Sequence, residues 1–262
     1  MWPDVVAHAD WSVGRRNRWA CVARRRADRY AIEAIEPVAD LAALVGLVAP
    51  ADSAVIGVDA PIGLPVAYAR AAGIDRFLPW LRELSAPALA AWSRAAANPG
   101  DIGVDRPFYP QRPGGARRAH LVEGLGQSSF DDLLRSCDRS PPLARPAASL
   151  FWTLGANQVG KAAVALWADL VGLPAVRVWP FDGDLEDLVD GGGLILAEAY
   201  PAAFGGDLGV AWSRGESKRR QPDRVARASV LADVARRLDV DLAPHVRAGL
   251  HDGFGAAPTK AS

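Results

Sequence analysis

The sequence predicts an α/β protein built on a mixed five-stranded sheet, with helices against the sheet and a large, mainly helical insertion. Three observations support this prediction. Three short apolar runs each end on an acid, at Asp10, Asp59 and Glu198. Short polar turns separate the first three strand-like runs. A later stretch of about a hundred residues has no strand pattern and is too long for a connecting loop.

The first elements are three strand-like runs, at residues 5–11, 19–23 and 30–35. The two turns between them are short and polar, which favours antiparallel pairing of consecutive strands. We therefore expect a three-stranded antiparallel meander at the start of the chain.

A helix is predicted next, because apolar residues recur at helical spacing over residues 41–48. Pro37 suits an early helical position and Pro50 ends the run. The helix would cross from the meander to the strand that ends at Asp59, so this strand is expected to lie parallel to the first. Asp10 and Asp59 would then share one end of the sheet.

The insertion is expected at approximately residues 66–175, inside a single domain that spans residues 1–262. Helical stretches at 77–96 and 161–171 flank a segment rich in Pro, Gly and Arg at 106–118. This segment has no regular period and is interpreted as an ordered loop or lid.

Strand-like residues return at 176–181 and 194–199, and helical spacing follows at 224–238. The order is therefore a meander, a helix, a strand with an acid, an insertion, a second strand with an acid and a helix. This is the order of the ribonuclease H-like (RNase H-like) fold.

The three acids predict a divalent-metal site. Ligands in open α/β sheets bind beyond the carboxyl ends of the strands, where Asp10, Asp59 and Glu198 are expected to converge. A carboxylate near a sheet core is costly unless it is paired, hydrogen-bonded or bound to metal. The alternative is that each acid merely begins a loop.

Composition limits the partners and the compartment. The 262 residues include 30 basic and 30 acidic side chains, so contact with nucleic acid would need a local basic patch. Cys21 and Cys137 match no metal or redox spacing, which suits a reducing compartment. No apolar leader and no membrane-spanning run is recognised, so we expect a cytoplasmic protein that does not enter a membrane.

Several motifs resemble the RNase H-like proteins of the domain of unknown function 429 family. They are Ala9-Asp10-Trp11-Ser12, Val58-Asp59-Ala60-Pro61-Ile62-Gly63-Leu64-Pro65, Glu198-Ala199-Tyr200-Pro201-Ala202-Ala203, and Ser217-Lys218 before an arginine-rich helix. The resemblance implies an RNase H-like fold and an activity like that of a nuclease.

The predicted mechanism is hydrolysis of a phosphodiester that depends on Mg²⁺ or Mn²⁺. Asp10 and Asp59 would be the main ligands, and Glu198 a third ligand or the base that orients water. Two ions about 4 Å apart could activate the water and stabilise the leaving oxygen. The substrate would be a nucleic acid or a phosphorylated small molecule.

A basic segment is the candidate phosphate-binding site. Lys218, Arg219 and Arg224 lie at the head of a predicted helix, where backbone N–H groups also favour anions. The alternative is a solvated cationic face without a ligand.

Similar proteins usually close with a helix that bears two further aspartates, whereas this sequence ends at Thr259-Lys260-Ala261-Ser262. We therefore also expect a degenerate enzyme, or one whose fold a partner chain completes. The alternative class is a non-catalytic binding or scaffold protein that retains the fold. A phosphotransferase of the actin and sugar-kinase type is less favoured, because the chain shows only one such core.

Overall fold

The computed structural model describes residues 2–139, 148–154, 159–206, 208–210, 212–213 and 215–255, without the side chains of residues 202 and 203. Within these ranges the chain is an α/β protein with a mixed seven-stranded sheet and helices packed against it. No helix in the same ranges is long and apolar enough to cross a bilayer.

The strands of the sheet lie in the order β5-β6-β4-β1-β2-β3-β7. Their bounds are β1 Val5–Asp10, β2 Trp19–Arg26, β3 Arg29–Pro37, β4 Ser53–Val58, β5 Arg177–Trp179, β6 Gly193–Glu198 and β7 Val240–Leu242.

The described helices lie mainly between β4 and β5 and after β6. Their bounds are α1 Leu41–Val48, α2 Val66–Ala71, α3 Phe77–Glu83, α4 Ala86–Trp92, α5 Arg118–Gly124, α6 Val159–Val171, α7 Leu185–Asp190, α8 Pro201–Phe204, α9 Gln221–Ala226, α10 Ala228–Arg237 and α11 Pro244–Asp252.

The pairing of the strands confirms the predicted meander and crossover. β1 pairs with β2, and β2 with β3, in antiparallel fashion. β4 lies parallel to β1 on its other side, and β6 lies parallel to β4. The carboxyl ends of β1, β4 and β6 therefore share one edge of the sheet.

The prediction of five strands is wrong by two edge strands. β5 pairs in parallel with β6, and β7 pairs in parallel with β3. β5 lies within the strand-like run predicted at 176–181, which the predicted five-stranded sheet does not include. No strand is predicted at β7, whose three residues are too few for an alternating pattern.

Three helix predictions also differ from the structure. The stretch predicted at 224–238 is divided between α9 and α10, which are separated at Arg227. Pro37 is the last residue of β3, and α1 begins after Asp40, whose side chain accepts a hydrogen bond from the Ala43 N–H. The helix predicted over 77–96 is two helices, because Ser85 caps a new start by accepting from the Ala88 N–H. A cap residue inside an apolar pattern breaks the helix without changing its periodicity.

One face of the sheet contacts the main hydrophobic core. Alternate residues of β1 and β4, including Ala9 and Val58, are fully buried there. Trp167 of α6 belongs to the same core, as do aromatic residues of the segment between β4 and β5. These aromatic rings pack edge-on or tilted: Tyr68, Phe77, Trp92, Phe108 and Phe151.

Candidate metal site

Asp10 and Asp59 occupy neighbouring positions at the edge formed by the carboxyl ends of β1 and β4. Ala9 pairs with Val58, and the Asp59 N–H donates to the Ala9 carbonyl over 3.0 Å, which extends the ladder by one residue. Side chains alternate between the faces of a sheet. Because Ala9 and Val58 face the core, Asp10 and Asp59 both lie on the opposite face.

The surroundings of these two aspartates, here called the carboxylate pair, are electrostatically unequal. Asp10 Oδ2 accepts from Lys218 Nζ over 2.8 Å, and both side chains are well exposed. Asp59 is half-buried, and among the described residues it has no side-chain hydrogen bond or ion pair. Burial raises the pKa of Asp59, the charges of Asp10 and Glu198 raise it further, and Lys218 opposes them.

Glu198 belongs to the other face of the sheet. Glu198 pairs with Val58 in the parallel ladder, so its side chain leaves the strand on the face that contacts the core. Its carboxylate accepts from Arg135 Nη1 at 2.5 Å and Nη2 at 2.7 Å, and from the Ile62 N–H at 2.9 Å. The structure thus brings Asp10 and Asp59 together and directs Glu198 into a different set of contacts.

Arg135 is the centre of these contacts and is 5% exposed. Its Nε and Nη2 donate to the two carboxylate oxygens of Asp138 at 3.0 and 2.7 Å. Burial by itself would lower the pKa of Arg135, but hydrogen bonds to Glu198 and Asp138 outweigh it and raise the pKa. We call Arg135, Asp138 and Glu198 the buried arginine cluster.

A second possible arrangement of metal ligands overlaps this cluster. Cys137, Asp138 and Glu198 place ligand atoms within 4.8 Å of one another, and no other such trio occurs in the described part of the chain. However, the Arg135 guanidinium already bonds both carboxylates, so a metal ion would have to displace a buried cation with ideal bidentate partners. Arg135 therefore balances the charge of the buried arginine cluster, whereas the cation beside the carboxylate pair is the exposed Lys218.

The three residues predicted to bind phosphate have different surroundings in the structure. Lys218 contacts Asp10 as described above. Arg224 donates to the carbonyls of Lys218, Gly253 and Gly255 at 2.7, 2.8 and 2.7 Å, so its guanidinium holds the backbone of this region. Arg219 is exposed.

His8 is a neighbour of the carboxylate pair that was not among the predicted site residues. It lies two residues before Asp10 and therefore on the same face. Its Nε2 is buried without a hydrogen-bond partner in the described ranges. Burial lowers the pKa of His8 despite the nearby charge of Asp10, and this shift favours the neutral ring. The alternation of β1 is the signal that could have identified it.

A glycine on β4 makes room for this histidine. Gly57 pairs with His8, and a Cβ added at Gly57 would lie 2.9 Å from the Ala199 Cβ and 3.4 Å from His8 Cδ2. The first distance is shorter than a carbon contact allows, so a side chain at position 57 would displace Ala199 and crowd His8.

Arg135 and Asp138 were missed for a different reason. They lie in a short irregular segment, Arg135-Ser136-Cys137-Asp138, that matches no motif of a binding site. Arg135 is 63 residues from Glu198 in sequence. No pattern in the sequence connects the two.

An open cleft of about 660 Å³ lies elsewhere in the molecule. It is lined by α2, α3 and residues 181–182, and neither member of the carboxylate pair lines it. The candidate site is therefore identified by its carboxylates and not by a cavity.

Comparisons with known proteins give no independent assignment of this site. The chain matches no protein-family model, no curated protein and no solved structure. The resemblance to the domain of unknown function 429 family therefore stays a prediction from the motifs.

Proposed function

We propose that the chain is a phosphodiesterase or nuclease of RNase H-like fold that depends on Mg²⁺ or Mn²⁺. The fold supports this through five of its strands, which lie in the order β3-β2-β1-β4-β6. The first three are antiparallel, and β1, β4 and β6 are parallel. This is the arrangement expected from the RNase H-like order of elements, with β5 and β7 added at the edges.

The carboxylate pair is the observation that carries the proposal. Asp10 and Asp59 place carboxylates at neighbouring strand ends on one face of the sheet, and carboxylate oxygens are the type of ligand that Mg²⁺ prefers. Burial, and then the nearby charges of Asp10 and Glu198, raise the pKa of Asp59, and a bound cation would oppose both causes. The residues present therefore fit a divalent cation, with water and phosphate oxygens as its remaining ligands.

The roles of the chain's own residues follow from their contacts. Asp10 and Asp59 would hold the cation. Lys218 balances the charge of Asp10 when no cation is bound. Glu198 is unsuited to act as a base, because its carboxylate accepts hydrogen bonds from Arg135 and Ile62. When bound, the divalent cation supplies Lewis-acid polarisation of the phosphate and lowers the pKa of water.

A non-catalytic binding protein is the second candidate, and the Lys218–Asp10 ion pair favours it. An ammonium group 2.8 Å from a carboxylate can replace a metal ion as the balancing charge. In that case the fold would be kept for recognition, and the pair would not bind a divalent cation.

Titration with Mn²⁺ separates the two candidates. We expect the unaltered protein to bind Mn²⁺, and Asp10→Asn or Asp59→Asn to weaken binding at least about tenfold, because each removes a charged ligand. Asp4→Asn is the matched control, since Asp4 pairs with Arg25 just before β1 begins, at the opposite end of the strand. Electron paramagnetic resonance of free Mn²⁺ measures the affinity.

The catalytic claim has its own assay. Hydrolysis of a labelled single-stranded oligonucleotide in Mg²⁺ should be lost in Asp10→Asn and kept in Asp4→Asn, with both variants folded by circular dichroism. Undiminished turnover in Asp10→Asn would remove Asp10 from the site. Absence of both Mn²⁺ binding and turnover in the unaltered protein would favour the binding protein.

A further inference from the structure

Hydrogen bonds hold the chain on both sides of Ala60, from the amide of Asp59 to the carbonyl of Ile62. The Asp59 N–H donates to the Ala9 carbonyl. The Pro61 carbonyl accepts from the indole N–H of the fully buried Trp167 over 3.0 Å. Proline also restricts the backbone of the loop at position 61. The next residue, Ile62, is held in a different way.

Both backbone polar groups of Ile62 form hydrogen bonds with the buried arginine cluster. Its N–H donates to Glu198 Oε2 at 2.9 Å, and its carbonyl accepts from Arg135 Nη1 at 3.2 Å. Ile62 is 5% exposed, so water does not compete for these groups. Ion pairing between Arg135 and Glu198 fixes the spacing of donor and acceptor, and Asp138 fixes Arg135 from behind.

We propose that Arg135 is a positioning residue for Asp59, and that it acts by clamping Ile62 together with Glu198. The inference rests on the proposed function, because it concerns how the carboxylate pair holds a divalent cation. Ile62 is three residues from Asp59, and the clamp sets where the chain leaves the sheet. A metal ligand is effective only when its supporting contacts hold it in the binding geometry.

The clamp assigns to Glu198 a role that conflicts with direct metal ligation, and the two roles predict opposite effects at Arg135. If Glu198 bound the cation, Arg135 would compete with the cation for the same carboxylate oxygens. Loss of the arginine fork would then strengthen Mn²⁺ binding. If Glu198 and Arg135 instead clamp Ile62, loss of the Arg135 guanidinium should weaken Mn²⁺ binding.

The test uses Arg135→Lys, Glu198→Ala and the double variant. Lysine keeps the buried charge but has no planar fork to bond Glu198 and the Ile62 carbonyl together. We expect each single variant to weaken Mn²⁺ binding about 10- to 100-fold, the range typical for residues that support metal ligands. The double variant should bind Mn²⁺ no more weakly than the single variant with the lower affinity, because both changes disrupt the same set of contacts at Ile62.

Amide hydrogen exchange at Ile62 supplies a readout that does not depend on metal or turnover. Exchange should accelerate in Arg135→Lys and Glu198→Ala. Arg24→Lys is the matched control, since Arg24 also bonds backbone carbonyls, including that of Leu47 at 2.8 Å, but lies beside Val5 at the other end of the sheet. It should change neither the Mn²⁺ affinity nor the exchange at Ile62.

Each other outcome overturns the inference in a recognisable way. Tighter Mn²⁺ binding in Arg135→Lys would identify Glu198 as a ligand. Unchanged binding with faster exchange, or unchanged exchange at Ile62, would overturn the positioning role and leave the proposed function standing. No Mn²⁺ binding by the unaltered protein would overturn the proposed function and the positioning role with it.

Discussion

The carboxylate pair and the buried arginine cluster lie at the same edge of the sheet and have opposite surroundings. Asp10 and Asp59 project from one face, where an exposed lysine is the paired cation. Glu198 starts from the other face, where Arg135 and Asp138 are almost completely buried. Glu198 is in register with Val58, one residue before Asp59, and that single residue places the acids on opposite faces of the sheet. Similar acids at similar strand ends therefore perform different tasks.

The energetics of the two regions differ for the same reason. An exposed ion pair contributes about 0–1 kcal/mol, so Lys218 can leave Asp10 at little cost. Removing one partner of a buried pair costs about 3–5 kcal/mol, because the remaining charge has no water around it. The cluster is thus suited to hold the structure, and the pair is suited to exchange its cation.

The largest expected effect is that of Arg135→Met on stability. The change leaves the Asp138 and Glu198 carboxylates without their cation, so we expect the free energy of unfolding to fall by about 3–5 kcal/mol. Urea denaturation followed by tryptophan fluorescence measures it. A loss below about 1 kcal/mol would show that the cluster is no more important than a surface ion pair.

The second effect is stabilisation by metal, which should depend on the carboxylate pair alone. Mn²⁺ at a concentration of about 100 times the dissociation constant should add about 2.7 kcal/mol to the free energy of unfolding. Asp10→Asn and Asp59→Asn should lose this gain, and Asp4→Asn should keep it. Equal gains in all four proteins would place the bound metal elsewhere.

The third effect is a pH-dependent gain in Asp59→Asn without metal. The pKa of Asp59 is raised above its ordinary value of 3.8, so the charged carboxylate destabilises the fold at neutral pH. In EDTA, Asp59→Asn should therefore unfold at a higher temperature than the unaltered protein near pH 7. The difference should shrink as the pH falls toward 3.8, because the native carboxyl takes up its proton at a higher pH than the unfolded one.

Thermal unfolding in a series of buffers measures this dependence. Asp4→Asn serves for comparison, because the pKa of Asp4 is lowered, chiefly by its hydrogen bond from Arg25. That variant should lose stability near pH 7 where Asp59→Asn gains it. Changes of the same sign in both variants would contradict the electrostatic difference between the two sites.

The smallest effect is expected for Lys218→Met. Lys218 and Asp10 are 60% and 43% exposed, so loss of their ion pair should change the free energy of unfolding by less than about 1 kcal/mol. The change should diminish further in high salt, which screens exposed charges. Urea denaturation at two salt concentrations checks both statements, and a loss as large as that of Arg135→Met would make the two regions equivalent.

Local pattern was enough to predict the elements that are long and repetitive. The polar turns predicted the meander, the apolar spacing predicted α1, and the crossover rule placed β4 parallel to β1. The strand-like run at 176–181 contains β5, but only its pairing with β6 makes it an edge of the sheet. The three residues of β7 were not predicted as a strand, because their pairing with β3 defines them. The break between α3 and α4 depends on the Ser85 cap, which periodicity does not show.

The sequence by itself determined that Asp10 and Asp59 would meet, because a helix between two strands makes them parallel and brings their carboxyl ends to one edge. Only the tertiary structure decided the place of Glu198. The register between β4 and β6 sets Glu198 beside Val58 instead of Asp59, and a shift of one residue exchanges the faces of a strand. The same packing brings Arg135 to it from a distant segment, through contacts that no local pattern encodes.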